Sequence, residues 1–146
     1  PWTELVSEVI QFVQHQDDDN IVSVSLRGSV PRGLAVDFVS DLDLVVVSAQ
    51  PVGTLPDAVS AFRADLLRRY PFCTGIEWGV SALADLDHIR PGQRVSGLGR
   101  VLKTQSLPLW GIDIAASIPP LKPGIDMLAH VYSFAREWAA FPERLA

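Results

Sequence analysis

The stretch Asp41-Leu42-Asp43-Leu44-Val45-Val46-Val47 restricts this chain more than any other. A continuous apolar run from Leu42 to Val47, rich in valine, suits a strand covered on both faces, so it is expected to be the central strand of a sheet. It nevertheless opens on two aspartates. Residues two apart in a strand share a face, so both carboxylates leave the sheet on the same side. Two like charges beside a buried valine run cost free energy unless a cation sits between them. Mg²⁺ is commonly held by one or two protein carboxylates together with substrate phosphates, and Asp41 and Asp43 supply that pair. An Asp-x-Asp by itself is more often a solvated strand end, so the flanking sequence has to decide.

Upstream, Leu5, Val6, Val9, Ile10, Phe12 and Val13 recur at helical spacing behind Thr3, which predicts an amphipathic helix over 4–14 with Thr3 as N-cap. The polar run from His15 to Asn20 ends it, and Ile21 to Leu26 reads as a strand closed by Gly28. Pro31 suits the first turn of a short helical piece from Ser29 to Val36. Beyond the central strand, Val59, Phe62, Leu66, Leu67 and Tyr70 predict a helix over 56–70 with Arg68 and Arg69 in its last turn, stopped by Pro71. Gly75 to Leu83 reads as a strand, Gln93 to Gln105 as a helix and Pro108 to Ala115 as a last short strand. Pro119-Pro120 and Lys122-Pro123-Gly124 predict a stiff linker before a further helix with Met127, Leu128, Val131, Phe134, Ala135 and Trp138. The chain therefore divides into a catalytic-size unit, 1–118, and a linker with the start of a helical region, 119–146.

Composition narrows the function classes. At 146 residues, 48% hydrophobic and 20% charged, the chain can bury an ordinary core. A single cysteine, Cys73, excludes an intramolecular disulfide and points to packing in a reducing cytoplasm. No apolar run reaches the roughly 18 residues of a membrane span. A net charge of −5 disfavours nucleic acid as a partner, because polyphosphate binding needs a basic footprint. No Walker-type loop occurs, and Gly97-Leu98-Gly99 lacks the third glycine of a dinucleotide fingerprint. Cys73 with His88, His15 with Asp17, Asp18 and Asp19, and the group Asp85, Asp87 and His88 all read as packing or solvated loop rather than as sites.

Gly28-Ser29 gives the aspartates a context. A glycine after a strand lets backbone approach a ligand, and the amides of the following turn, with the Ser29 hydroxyl, can hold phosphate oxygens. Arg32-Gly33 follows, eleven residues separate Ser29 from Asp41, and Ser40-Asp41-Leu42-Asp43-Leu44 heads the next strand. In this combination the sequence resembles the DNA polymerase β-like nucleotidyltransferase superfamily over roughly residues 21–115. It is especially similar to the small bacterial subgroup with Gly-Ser-x-x-Arg-Gly and then Ser-Asp-x-Asp-Leu, which includes aminoglycoside adenylyltransferases and the minimal nucleotidyltransferases of toxin–antitoxin pairs. Leu109 to Ala115 also looks like the late aromatic-Gly segment of such domains.

The resemblance implies an α+β fold, a mixed sheet flanked by helices, with Asp41 and Asp43 on one strand beside the Gly28-Ser29 turn. It implies a Mg²⁺-dependent transfer of NMP, with ATP as the expected donor, to a hydroxyl of a small acceptor such as an aminoglycoside or of a protein, and release of pyrophosphate. Two metal ions can stabilise the attacking and leaving oxygens, so acids suffice in place of a protein nucleophile. Arg27, Arg32 or Lys103 could neutralise the triphosphate, Arg32 having the support of the subgroup pattern. The competing expectation is an antitoxin-like or catalytically lapsed interaction module.

The superfamily usually has a third carboxylate on a neighbouring strand. Glu77, Asp85, Asp87 and Asp113 are candidates, and only Glu77 lies well inside a strand-like run. Period two sends Ile76, Trp78 and Val80 to one face and Gly75, Glu77 and Gly79 to the other. Two glycines beside one acid leave room for a bulky ligand, so Glu77 is the expected third catalytic carboxylate, completing the metal site or taking the acceptor proton.

Overall fold

The computed structural model describes residues 1–16, 20–52, 56–86 and 97–121. Four strands form one sheet: β1 (Ile21–Arg27), β2 (Leu42–Ser48), β3 (Ile76–Ala82) and β4 (Leu107–Gly111), in the order β3-β2-β1-β4. β1 pairs antiparallel with both β2 and β4, and β2 pairs parallel with β3, so the sheet is mixed. Parallel neighbours need a crossover, and helix α2 (Asp57–Arg69) lies in the connection from β2 to β3. Helix α1 (Trp2–His15) precedes β1, and three shorter helices complete the described chain: α3 (Leu83–Leu86), α4 (Gly97–Gln105) and α5 (Ile114–Ser117).

β2 is interior and buried on both faces, as its valine run requires. Leu42, Leu44 and Val46 join Leu5, Val9 and Val13 of α1, Val59 and Leu66 of α2, and Ile76 and Trp78 of β3 in one core. Val45 and Val47 point the other way and pack with Leu86, Leu102, Ile114 and Ile118. Each alternation of the strand thus feeds a separate apolar layer. Both layers remove β2 side chains from water, and at about 25 cal/mol per Å² of apolar surface this is the main term holding the strand in place.

Four local expectations are corrected. Thr3 is not an N-cap: the helix starts two residues earlier than expected, at Trp2, with Pro1 at the cap position and no side-chain cap bond. The segment after Gly28 is not a helical piece reaching Val36. It makes one turn, closed by Gly33 N–H to the Val30 carbonyl (3.0 Å) and Leu34 N–H to the Ser29 carbonyl (3.0 Å), with Gly33 in the left-handed region at φ 68°. That pairing is the pattern by which a glycine ends a helix, so the chain leaves the turn at once. The last strand runs Leu107–Gly111, not Pro108–Ala115. Gly111 has φ 77° against the Val22 backbone, and the chain then enters α5, whose first turn Asp113 caps through Ala116 N–H (3.1 Å). The strand expected from Gly75 to Leu83 is Ile76–Ala82, because Leu83 already begins α3. The helix expected over 93–105 is present over its described part, Gly97–Gln105. Ile118 is buried in the second layer, and the helix expected after Gly124 lies outside the described residues, as do Asp17, Asp18, Asp19, Asp87 and His88. No described helix is long and apolar enough to cross a membrane.

Candidate active site

Three charged side chains meet across three adjacent strands. The antiparallel register of β1 with β2 sets Arg27 opposite Asp43, and the parallel register of β2 with β3 sets Asp43 opposite Glu77. Arg27 Nη2 lies 3.3 Å from Asp43 Oδ1 and 2.8 Å from Glu77 Oε1, so one guanidinium bridges both acids. The Asp43 side chain is 14% exposed, whereas that of Glu77, on the edge strand, is 56% exposed. Asp41 stands one residue before β2 and is exposed. Leu42 N–H donates to the Gly75 carbonyl (2.9 Å), and a β-carbon built on Gly75 would lie 3.8 Å from Asp41 Cβ. Asp41 therefore continues the same ladder and the same face as Asp43, with glycine in place of a side chain opposite it.

The electrostatics follow from this crowding. The Asp43 carboxyl is pushed up from 3.8 to about 6: burial is the largest cause, then the hydrogen bond it shares with Glu77, while Arg27 pulls the other way and the charges of Asp41 and Glu77 add to the rise. A carboxylate held with too little counter-charge is what a divalent cation offsets. Among the described residues no three His, Cys, Asp or Glu side chains are arranged as a metal cage. Mg²⁺ does not demand one, since it keeps waters and takes substrate phosphates as ligands, and the paired carboxylates fit that mode of binding.

Gly28 closes the other side of Asp43. It has φ 82°, and a β-carbon there would stand under 3.0 Å from Asp43 Oδ2. Only glycine satisfies both conditions. The turn that follows carries Ser29, partly buried, and is braced by Arg32, whose Nε donates to the Gly28 carbonyl at 2.8 Å. Gly28 is thus set against Asp43, Ser29 follows it in the turn, and Arg32 is tied to the same turn through the Gly28 carbonyl. Lys103 is used elsewhere: it sits on α4 and its Nζ donates to the Ala115 carbonyl of α5 at 3.0 Å. The rival acids are engaged locally, Asp113 as the cap of α5 and Asp85 as acceptor of Ala82 N–H at 3.3 Å. Cys73 is buried with its thiol donating to the Gly75 carbonyl (3.0 Å), and burial raises its pKa, so it packs beneath the site. His15 ends α1 with Nδ1 against the Gln11 carbonyl.

A pocket of about 160 Å³ opens beside the acids, with Arg27 and Glu77 at one end, Val45 and Gly79 as floor, and Leu98 and Val101 of α4 as wall. Arg27, expected only as a candidate for neutralising the triphosphate, is here paired with both acids, a contact that sequence reasoning did not state. Its one signal is the alternation of β1, where Ser23, Ser25 and Arg27 share the face opposite Val24 and Leu26.

The fold has structural counterparts. The chain is similar to a spectinomycin adenyltransferase from Enterococcus faecialis solved with ATP and spectinomycin, with a TM-score of 0.52, 17% identity, and coverage of 92% of this chain and 66% of that one. The chain has the nucleotidyltransferase fold. A chain of a toxin–antitoxin complex solved with AMP-PNP is also similar, with a TM-score of 0.51 and 16% identity over 97% of this chain and 98% of that one. At these identities the likeness is one of fold, and this chain spans just under two thirds of the adenyltransferase's length. No protein-family model matches the sequence, and no curated protein is similar to it. The mixed sheet flanked by helices, expected from the sequence, is the nucleotidyltransferase fold observed.

Proposed function

We propose that the protein transfers AMP from ATP to a hydroxyl group of a small acceptor in the cytoplasm, with Mg²⁺ required. The observation that carries this is the register that sets Asp43 opposite Glu77, with Asp41 on the same face and the Gly28-Ser29 turn pressed against Asp43. Asp41, Asp43 and Glu77 would hold the metal, which when bound supplies charge neutralisation at the attacking and leaving oxygens. The backbone amides after Gly28 and the Ser29 hydroxyl bind phosphate oxygens, and Arg32 holds that turn in shape through the Gly28 carbonyl. Glu77, on the exposed side of the acid pair, takes the proton of the acceptor hydroxyl as its oxygen bonds to the α-phosphorus. The bond from that phosphorus to the bridging oxygen breaks, and pyrophosphate leaves. The acidic net charge favours a cationic acceptor, as an aminoglycoside is, and the similar adenyltransferase was solved with spectinomycin.

The test is incubation with ATP labelled at the α-phosphate, Mg²⁺ and a panel of aminoglycosides, nucleotides and candidate proteins. A labelled product that requires Mg²⁺ and disappears in Asp41→Asn/Asp43→Asn is expected. Absence of labelled product across the panel, with no ATP binding by calorimetry, would overturn the proposal.

One observation favours a second reading, a module that binds a protein partner. Leu34, Val36, Phe38 and Val39 are all more than half exposed on the loop between β1 and β2. Phe38, 70% exposed, has φ 64°, and its N–H donates to the Phe72 carbonyl at 2.6 Å, so the loop holds its apolar side chains outward. Such a patch is unusual on a surface facing only water. A protein acceptor would reconcile both readings, and its labelling in the same assay would show it.

A further inference from the structure

The positive charge facing Asp43 and Glu77 comes from the chain's own Arg27. Its Nη2 lies between Asp43 Oδ1 and Glu77 Oε1, at 3.3 and 2.8 Å, while the second Asp43 oxygen is turned toward Gly28. A divalent cation held by these acids would supply the positive charge that the guanidinium now supplies, so the two compete for the same pair of carboxylates.

We infer that Arg27 is a resident counter-ion of the acid pair, which a divalent cation must displace before the site is loaded. This rests on the function proposed above. Three observations support it. Strand pairing on both sides of β2, and not a flexible loop, brings Arg27, Asp43 and Glu77 together, so the contact is built into the sheet. The planar guanidinium suits a bridge between two carboxylates better than the point charge of a lysine would. The pocket beside it gives the displaced side chain somewhere to go: Gly79 offers no side chain on that face, and a β-carbon there would meet nothing nearer than the Leu44 carbonyl at 3.5 Å. Arg27 is therefore a positioning residue. It keeps two adjacent carboxylates aligned when no metal is bound, and it weakens metal binding by the strength of the ion pairs that must break.

The experiment measures Mn²⁺ affinity by counting free Mn²⁺ with electron paramagnetic resonance, together with melting in chelator. Wild type, Arg27→Gln, Arg27→Lys and Asp43→Asn/Glu77→Gln are compared, with circular dichroism to confirm folding. Arg27→Gln is expected to melt lower than wild type in chelator yet bind Mn²⁺ about fivefold tighter, the scale of losing its two partly exposed ion pairs. Arg27→Lys is expected to fall between the two, and the double acid variant to bind weakly. A structural role alone would lower stability and metal affinity together, so a folded Arg27→Gln or Arg27→Lys that binds Mn²⁺ no more tightly than wild type overturns the inference. Failure of wild type and Arg27 variants alike to bind Mn²⁺, with or without ATP, overturns instead the function on which it rests.

Discussion

The Asp43 carboxylate occupies the space that a side chain on Gly28 would need: Oδ2 lies less than 3.0 Å from where a β-carbon of residue 28 would be. Gly28 directly follows Arg27, the strand partner of Asp43, and its left-handed backbone turns the chain over the acid. Gly28→Ala should therefore cost about 1–2 kcal/mol in backbone strain and also push Asp43 out of line. The expected result is a lower melting temperature with turnover reduced by about tenfold or more, and Gly28→Val should be worse, since β-branching adds to the strain. Normal kinetics in a folded Gly28→Val would place this turn away from the nucleotide.

Asp43→Asn separates stability from binding. The folded pKa of Asp43, about 6, lies above its ordinary 3.8, so the native state holds this proton more tightly than the unfolded chain does. Its contribution to stability is greatest below pH 3.8 and is lost as pH rises through about 6. Asn cannot titrate. Melting in chelator should show Asp43→Asn gaining on wild type between pH 4 and pH 7, a window set by that shift. At pH 7 the same variant should lose affinity for ATP in the presence of Mg²⁺, measured by calorimetry. Equal pH profiles for the two proteins would show that crowding at Asp43 is relieved without a metal.

Glu77→Gln should lower turnover by roughly 10²-fold, the scale of lost general-base catalysis. ATP with Mg²⁺ should still bind better than to the Asp41 or Asp43 variants, because Glu77 acts mainly on the attacking group. Asp113→Asn should instead leave turnover within a few-fold and lower stability by about 1 kcal/mol, as expected for loss of the cap of α5. The reverse pattern in single-turnover assays would move the third acid to Asp113.

A different acid controls the packing of α1 on α2. Glu8 accepts hydrogen bonds from both Arg69 and Tyr70, and Arg69 also donates to Asp65 at 2.8 Å. The Arg69 bond, then that of Tyr70, hold the Glu8 carboxyl below its ordinary 4.5. A depressed folded pKa gives stability that is present above 4.5 and is lost as pH falls through the folded value. Glu8→Gln should therefore melt lower than wild type at pH 7 and converge on it in acid, as followed by circular dichroism. A constant gap at every pH would show that shape, not charge, holds this contact.

The central strand, the acids at its head and Glu77 on the next strand were all legible because each depends on a local pattern. Apolar continuity marks β2, and period two sorts Glu77 from Trp78. Arg27 was not legible as a partner of these acids, since its place depends on the relative register of three strands, a non-local quantity that no window of sequence states. The contact of Lys103 was not legible for a similar reason: only the fold brings the Ala115 carbonyl of α5 to the last turn of α4. The turn after Gly28 shows the opposite limit, where Pro31 promised a helix and Gly33, two residues on, ended it.

Glu77 comes from β3, which among the described strands is hydrogen-bonded on one side only, while Asp43 comes from a strand held on both. Edge strands fray before interior ones, because each of their residues gives up fewer bonds on opening. On warming, the active constellation should thus come apart from its outer edge inward. The protein would pass through a range of temperature in which it still captures nucleotide yet no longer turns it over, with the β1–β2 pair intact and the proton acceptor swung away.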